Sequence, residues 1–289
     1  MKILSILICY GTGRTTPALA ELTSFHAALR DGNHRDYLIG DNALAPGFLE
    51  RLDEHTTLIG GDNALREFSG FERALKFVGP RLAEYDLLHL VTETFNTDYR
   101  HYLGLLTPKL LALAVEKNFC LGHIDGLPRE VTLFGTRSRT WIRSCYLLVP
   151  RTAVQALGTF ITSDGSDPFF SEDPQMPFSP HAPIDGQYQQ FLRKWLTGDG
   201  KADGMATHRS PFCLSSETFS QFKAKVVAIV NEHGLSVRLR KLGFPTIDVE
   251  WLYDMLLERP PGKIDWQTPV EEILRHTGAR RQRLGITPP

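Results

Sequence analysis

KILSILICY, residues Lys2 to Tyr10, is an apolar run that ends at the turn Gly11-Thr12-Gly13. A continuous apolar run of this length, closed by glycine, is typical of a strand buried in a parallel sheet. The next segment, Thr16 to Arg30, has the composition of a helix, with Pro17 in its first turn. The order of strand, glycine turn and helix predicts the first unit of an α/β sheet.

Apolar runs continue to alternate with helix-like segments through the first half of the chain. The further predicted strands are Arg35 to Ile39, Thr57 to Ile59, Asp86 to Thr92 and Phe119 to Ile124. The predicted helices between them are Ala64 to Val78 and Leu103 to Lys117. This alternation predicts a mixed, mostly parallel sheet flanked by helices.

The second half contains one more predicted strand, a long loop and four predicted helices. Ser144 to Val149 is the strand, and residues 163 to 186, rich in Pro, Asp, Ser and Gly, predict a long surface loop. The predicted helices are Pro150 to Gly158, Tyr188 to Leu196, Ser216 to His233 and Asp248 to Glu258, with a polar tail from Pro260. We therefore expect one domain over residues 1–215 and a helical C-terminal extension over 216–289 packed on it.

Composition excludes several classes of protein. Hydrophobic residues make up 42% of 289 residues, which is enough to bury a core and argues against disorder. With 33 acidic and 32 basic residues, a broad nucleic-acid-binding surface is disfavoured. Four scattered cysteines without a CxxC pair, and an N-terminal apolar run too short to span a membrane, predict a cytoplasmic protein.

Polar residues follow several of the predicted strands. Asp41 and Asp62-Asn63 belong to two Gly-Asp-Asn turns, and Glu93 follows the strand that ends at Thr92. Because the carboxyl ends of parallel strands share one edge, these groups predict a nucleotide site there. A simple strand-to-helix turn remains open for Gly11-Thr12-Gly13, because Thr16 replaces the third glycine of a GxGxxG motif. Tight packing of a helix on the sheet remains open for the segment around Asp62-Asn63.

Asp185 lies between the long polar loop and a predicted helix. A carboxylate held there could take a proton from a sugar hydroxyl, as the base of an inverting transferase does. A helix N-cap alone would also explain an aspartate at this position. Both roles remain open from the residues alone.

Taken in order, these segments resemble the GT-A fold glycosyltransferases of the family-two type, which build bacterial surface polysaccharides. The likeness spans roughly residues 1 to 215. It rests on the segments Gly61 to Leu75, Leu87 to Thr94, Ser144 to Gly158 and Ile184 to Gly198. The Gly-Asp-Asn turns and Trp141 to Ser144 are most similar to rhamnosyltransferase-like enzymes of O-antigen (lipopolysaccharide) gene clusters.

The resemblance implies a Rossmann-related, GT-A-like sheet and inverting transfer of a sugar, such as the deoxysugar rhamnose. The donor would be a nucleotide sugar and the acceptor a glycan or lipid-linked glycan, with peripheral association at the inner face of the membrane and no nucleic-acid partner. Asp185 would be the catalytic base. Donor-binding residues would be Tyr10, Gly11, Asp41, Asp62, Asn63, Arg66, Thr92, Glu93, Thr94, His208 and Arg209. Acceptor-binding residues would be His123, Asp125, Trp141 and Arg143. The last two belong to the segment Arg137 to Arg143, which could grip phosphate or an anionic lipid-linked acceptor; a solvated loop is the alternative.

One departure from the family pattern concerns metal. Thr92-Glu93-Thr94 stands where the family has Asp-x-Asp, so we expect weak or no dependence on Mn²⁺ or Mg²⁺. If a cation is used, Glu93 and His208 would be its ligands.

Two other classes of function remain open. A catalytically inactive GT-A-like module that binds carbohydrate or a partner would also lack Asp-x-Asp. A Rossmann-type methyltransferase or oxidoreductase would use Gly11-Thr12-Gly13, together with an acidic residue at the end of the second strand, which Asp41 fits only loosely.

Overall fold

A mixed sheet of eight strands organises the part of the chain that the computed structural model describes, residues 1–29, 31–203, 208, 210–266 and 270–284. In chain order the strands are β1 (Lys2–Cys9), β2 (His34–Asp41), β3 (Leu49–Arg51), β4 (Thr56–Gly60), β5 (Leu87–Thr92), β6 (Cys120–Leu133), β7 (Thr136–Pro150) and β8 (Thr246–Asp248). Their spatial order is β3-β4-β2-β1-β5-β7-β6-β8. Strands β4, β2, β1 and β5 pair in parallel, whereas β7 is antiparallel to both β5 and β6. The predicted α/β class with a mostly parallel sheet is confirmed.

Helices cover both faces of this sheet. They are α1 (Thr12–Leu29), α2 (Glu67–Val78), α3 (Pro108–Glu116), α4 (Arg151–Leu157), α5 (Gly186–Thr197), α6 (Phe219–Lys241), α7 (Val249–Glu258) and α8 (Val270–Leu284). Ile3 and Leu7 of β1 pack with α1, α3 and α7, while Leu4, Ile6 and Ile8 pack with α2, α4 and α6. Because successive strand residues point to opposite faces, the apolar run of β1 contributes to two hydrophobic cores.

Two glycines allow α2 to approach the sheet closely. A Cβ added at Gly70 would lie 2.8 Å from Cγ2 of Ile8, and one at Gly40 would lie 2.7 Å from Cδ1 of the same residue. Both distances are shorter than real Cβ contacts allow, so packing explains the glycine within α2. The loop before α2 is thereby held at the carboxyl end of β4.

Strands β6 and β7 form a long hairpin that the sequence did not predict. They are joined by Phe134 and Gly135, which have φ angles of 46° and 69°. Positive φ at both central residues is the requirement of a type I′ turn, whose twist matches that of the flanking strands. Arg137 to Arg143 lie within β7, so the alternative of a solvated loop is wrong.

The C-terminal region also differs from the predicted helical extension. β8 pairs in parallel with β6, so residues 216–289 contribute a strand to the sheet. α6 begins after Thr218, rather than at Ser216, and continues to Lys241. The predicted polar tail instead contains α8, and Glu271 of this helix pairs with Arg139 of β7. None of the helices in the described residues is both long and apolar enough to cross a membrane.

Candidate functional site

The site lies at the edge of the sheet where β1, β2, β4 and β5 end. From β1 the chain passes to β2 and β4 on one side, and then returns to form β5 on the other side of β1. The order of strands therefore reverses between β1 and β5. In open α/β sheets, ligands bind in the crevice outside the carboxyl ends of the strands at such a switch point.

Two carboxylates hold the loop that follows β1. The backbone N–H of Tyr10 donates to Oε2 of Glu93 at 2.8 Å, and that of Gly11 donates to Oδ1 of Asp41 at 2.8 Å. Asp41 also accepts from the N–H of Ala43 and is only 1% exposed, so it supports the loop from below. The Tyr10 side chain is 59% exposed. The structure thus brings Tyr10, Gly11, Asp41 and Glu93 together, as predicted, with one aromatic ring open to solvent.

The loop after β4 is joined to the loop after β2. Nδ2 of Asn42 donates to the carbonyl oxygen of Arg66 at 2.9 Å and lies 3.5 Å from Oδ1 of Asn63. Asn63 and Arg66 have φ angles of 55° and 54°, which few residues other than glycine adopt. Nε of Arg66 has no hydrogen-bond partner among the described residues. A side chain with an unused buried donor therefore stands at the start of α2.

A crevice of about 140 Å³ opens beside Arg66. Its charged and aromatic lining consists of Arg66, Glu67, Trp195, His208, Lys225 and Glu232. Nζ of Lys225 lies 3.0 Å from Nε2 of His208. Burial and the nearby Arg66 lower the pKa of Lys225, and burial, Lys225 and Arg66 lower the pKa of His208. A negatively charged group bound here would offset the positive charges of Arg66 and Lys225.

Two carboxyl groups, those of Glu67 and Glu232, also line the crevice. Oγ of Ser144 on β7 lies 2.8 Å from Oε1 of Glu232 and 3.2 Å from Oε1 of Glu67. Burial and the nearby Glu232 raise the pKa of Glu67. Burial also raises the pKa of Glu232, against the opposing influence of Arg143. Raised carboxyl pKa values are suited to proton transfer near neutral pH.

The predicted acceptor residues form a buried network on β6 and β7. Asp125 accepts from Arg143 and lies 3.1 Å from Nε2 of His123. Burial alone would raise the pKa of Asp125, but His123 and Arg143 hold it well below its usual range. Burial lowers the pKa of His123 to about 4, and its Nδ1 lies 2.6 Å from Arg281 of α8.

Two of these predicted acceptor residues, His123 and Trp141, pack against other parts of the protein. His123 is only 1% exposed, so its ring does not reach the surface. The ring of Trp141 stacks on that of His233, with 3.9 Å between the ring centroids. Asp125, Trp141 and Arg143 keep partial exposure, so a ligand could approach them.

Asp185 occupies the predicted N-cap of α5. Its Oδ1 accepts from the N–H of Tyr188 at 2.8 Å, and its Oδ2 accepts from the N–H of Thr132. In the hairpin, Thr132 pairs with Arg137 and Asp125 pairs with Trp141. Arg137 and Trp141 are four residues apart on β7. At about 3.3 Å per residue, Asp185 lies roughly 13 Å further along the hairpin than the Asp125 network.

Other predicted site residues lie apart from the crevice. Oδ1 of Asp62 accepts from the N–H of Ala64, and Asp62 lines a second cavity of about 550 Å³ with Phe48 and Leu65. Thr92 and Thr94 are joined by a 2.6 Å hydrogen bond between their hydroxyls. Arg209 lies outside the described residues.

The crevice contains residues that the sequence did not predict. Glu67 directly follows Arg66, while Lys225 and Glu232 are seven residues apart on α6 and so share one face. The spacing indicates that the two residues share a face of α6, but not that this face meets α2 and β7. Ser144 gave none, because a serine in an apolar strand is commonly a core residue.

Comparison with models of known protein families gives no match, and comparison with curated proteins gives none either. What the site does is therefore inferred from its geometry. That geometry combines three basic side chains, two carboxyl groups and an exposed aromatic ring at one edge of the sheet.

Proposed function

We propose that this chain is a glycosyltransferase with a GT-A-like fold, which transfers a sugar from a nucleotide-sugar donor to a glycan or lipid-linked acceptor. The observation that carries the proposal is the convergence of Arg66, His208 and Lys225 at the ligand-binding edge of the sheet. Fixed positive groups stabilise the charge that develops on a departing diphosphate. The mixed, mostly parallel sheet flanked by helices agrees with the resemblance to this fold.

The loops after β1 and β2 would hold the nucleoside of the donor. The exposed ring of Tyr10 offers a surface on which a base can stack, a mode of binding that tolerates any base. Asp41 and Glu93 fix the backbone beneath that ring, so they position the loop. Asp62 and Asn63 lie in the loop after β4, which Asn42 joins to the loop after β2.

In the proposed reaction the acceptor hydroxyl attacks the anomeric carbon as the bond from that carbon to the phosphate oxygen breaks. The electron pair of the broken bond leaves with the diphosphate, and the configuration at the carbon is inverted. A base removes the proton of the hydroxyl. The resemblance predicts Asp185 for this role, and the two carboxyl groups that line the crevice, Glu67 and Glu232, are the other candidates.

The residues at the end of β5 do not fit a divalent cation bound in the family's manner. Thr92-Glu93-Thr94 offers one carboxylate, which already accepts the N–H of Tyr10. Nε2 of His208 faces the ammonium group of Lys225, which opposes a cation at that nitrogen. We therefore assign the neutralisation of the diphosphate to basic side chains.

The remaining details follow the resemblance. The sugar would be a deoxysugar such as rhamnose, and the product would belong to a bacterial surface polysaccharide. The reaction would take place in the cytoplasm, at the inner face of the membrane if the acceptor is lipid-linked.

A Rossmann-type methyltransferase or oxidoreductase has one observation in its favour. β2 ends at Asp41, the position where such enzymes hold a ribose. That carboxylate is 1% exposed and binds the N–H groups of Gly11 and Ala43, so it would have to leave both to reach a ligand. The glycosyltransferase proposal needs no such rearrangement.

The test is to incubate the protein with UDP-, dTDP- and GDP-sugars and to measure release of the nucleoside diphosphate, with and without glycan acceptors. Acceptor-dependent release supports the proposal. Binding of the donors without any release would favour the inactive binding module. Stabilisation by S-adenosylmethionine or NAD, but by no nucleoside diphosphate, would favour the Rossmann-type alternatives.

A further inference from the structure

The hydroxyl of Ser144 contacts two carboxyl groups. Its Oγ lies 2.8 Å from Oε1 of Glu232 and 3.2 Å from Oε1 of Glu67. A hydroxyl has one proton to donate, so it cannot donate to both carboxylates. One of the two contacts is a hydrogen bond only if the carboxyl group is itself the donor.

The surroundings of the two carboxyl groups differ. Oε1 of Glu232 also accepts the backbone N–H of Ser144 at 2.7 Å, and the nearby Arg143 favours its ionised form. Burial and the negative charge of Glu232 raise the pKa of Glu67, against the opposing influence of its own backbone N–H, Ser144 and Arg66. Glu232 accepts two short hydrogen bonds from Ser144, at 2.7 and 2.8 Å, whereas Glu67 has only the 3.2 Å contact. This geometry favours the ionised form at Glu232 and the proton on Glu67, which would donate to Ser144.

We propose that Glu67, Ser144 and Glu232 form the acid–base group of this site, sharing one proton at neutral pH, and that Glu232 accepts the proton of the attacking hydroxyl. The inference rests on the proposed glycosyl transfer. Glu67 and Glu232 line the same crevice as the three basic residues, so a base and a phosphate-binding group face one space. Asp185, by contrast, has both carboxylate oxygens engaged by backbone N–H groups.

The proton transfer balances without a further reactant. The O–H bond of the acceptor breaks and its proton passes to a carboxylate oxygen of Glu232. The acceptor oxygen bonds to the anomeric carbon, while the bond from that carbon to the diphosphate breaks and the electron pair leaves with the diphosphate. Neutral Glu67 keeps a second negative charge away from the departing group.

The charges around the pair determine its pH dependence. The ionisable groups that face it from the neighbouring elements are Arg66, Lys225, His208, Arg143 and Asp125. The positive groups favour one carboxylate, and mutual repulsion disfavours two. The proton that the pair shares is therefore expected to dissociate at a pH above the titration range of an ordinary glutamate.

Glu232→Gln and Asp185→Asn identify the base. We expect Glu232→Gln to reduce transfer at least about a hundredfold, the usual effect of losing a general base, while nucleoside diphosphates still stabilise the protein. A loss of this size in folded Asp185→Asn, with near-normal transfer by Glu232→Gln, would instead identify Asp185 as the base. Near-normal transfer by folded Glu232→Gln overturns the inference. Glu258→Gln, on the exposed end of α7, is the control for the chemical change.

A second measurement tests the shared proton without any substrate. In the wild-type protein at pH 7, infrared spectroscopy should show a protonated carboxyl group, and carbon NMR should show one glutamate titrating above its ordinary range. Both signals should be lost in Glu67→Gln, whose amide still donates to Ser144. If every glutamate is ionised at pH 7, the inference is wrong whatever the transfer assays show. Failure of the proposed function would appear separately, as no stabilisation of the wild-type protein by any nucleoside diphosphate.

Discussion

Asn42 and Arg66 are joined by a 2.9 Å hydrogen bond from the side-chain amide of the first to the carbonyl oxygen of the second. Arg66 has a φ of 54°, so its backbone needs support from its surroundings. The bond therefore fixes the direction in which Arg66 enters the crevice.

Replacing Asn42 by aspartate tests this relationship. Asn42→Asp puts a carboxylate oxygen against the carbonyl oxygen of Arg66, so a buried acceptor loses its donor. We expect the free energy of unfolding to fall by about 1 to 3 kcal/mol and nucleoside diphosphates to bind more weakly. Chemical denaturation and calorimetric titration measure the two effects. Asn118→Asp is the control, because the side-chain oxygen of Asn118 accepts from Thr152 and aspartate retains that bond.

Removal of divalent cations should have little effect on transfer. The carboxylate of Glu93 accepts the N–H of Tyr10, and His208 faces Lys225. We expect the rate in excess EDTA to stay close to the rate with Mn²⁺ or Mg²⁺. Complete loss of turnover in EDTA, restored by either cation, would show that a metal replaces the proposed role of the basic side chains.

Asp185→Asn should destabilise the protein. Asparagine can accept with one oxygen, but its NH₂ group would then face the second backbone donor, from Tyr188 or Thr132. An unmet buried donor costs about 1 to 3 kcal/mol, so the melting temperature should fall. Asp164→Asn, at an exposed turn, is the control and should change it little. An unchanged melting temperature for Asp185→Asn would mean that its carboxylate does not link α5 to the hairpin.

His89 should make the protein sensitive to acid. It is fully buried, neither ring nitrogen has a hydrogen-bond partner among the described residues, and burial, with a smaller effect of Arg35, lowers its pKa to about 3. An unfolded histidine takes up a proton near pH 6.5, so stability contributed by neutral His89 is lost progressively as pH falls from 6.5 towards 3. At about 1.4 kcal/mol per pH unit, the loss at pH 5 is about 2 kcal/mol.

Substitution by phenylalanine removes this proton-linked loss. We expect His89→Phe to reduce the difference in unfolding free energy between pH 8 and pH 5 by about 2 kcal/mol, measured by urea denaturation at both pH values. His181→Phe, on the exposed loop, should leave the difference as in the wild type. Equal pH dependence of His89→Phe and the wild type would mean that His89 is protonated in the folded protein.

The sheet was predictable to the extent that each strand is a separate apolar run. β1 and β5 have that pattern, and their predicted positions are close to the observed ones. The β6–β7 hairpin does not, because charged residues such as Arg129 and Arg137 lie on its solvent-exposed part and Phe134-Gly135 is not a common turn pair. Tertiary packing under α5 stabilises that part of the hairpin.

The candidate site was predictable where its residues follow a strand directly. Tyr10, Gly11, Asp41 and Glu93 were found in this way. Lys225 and Glu232 could not be placed, because the position of α6 over the end of β7 depends on packing between distant segments. Ser144 acquires its role only through this packing, since its two partners come from α2 and α6.

Calorimetric titration of nucleoside diphosphates tests the central claim, that the basic crevice binds the diphosphate of a donor. UDP, dTDP or GDP should bind the wild-type protein and, at a hundredfold excess over Kd, raise its unfolding free energy by about 2.7 kcal/mol. Lys225→Met should weaken binding at least about tenfold, because a charged hydrogen bond is lost, whereas Lys241→Met, at the exposed end of the same helix, should bind as the wild type does. Absence of binding by all three nucleotides, or equal binding by Lys225→Met and the wild type, would contradict the claim.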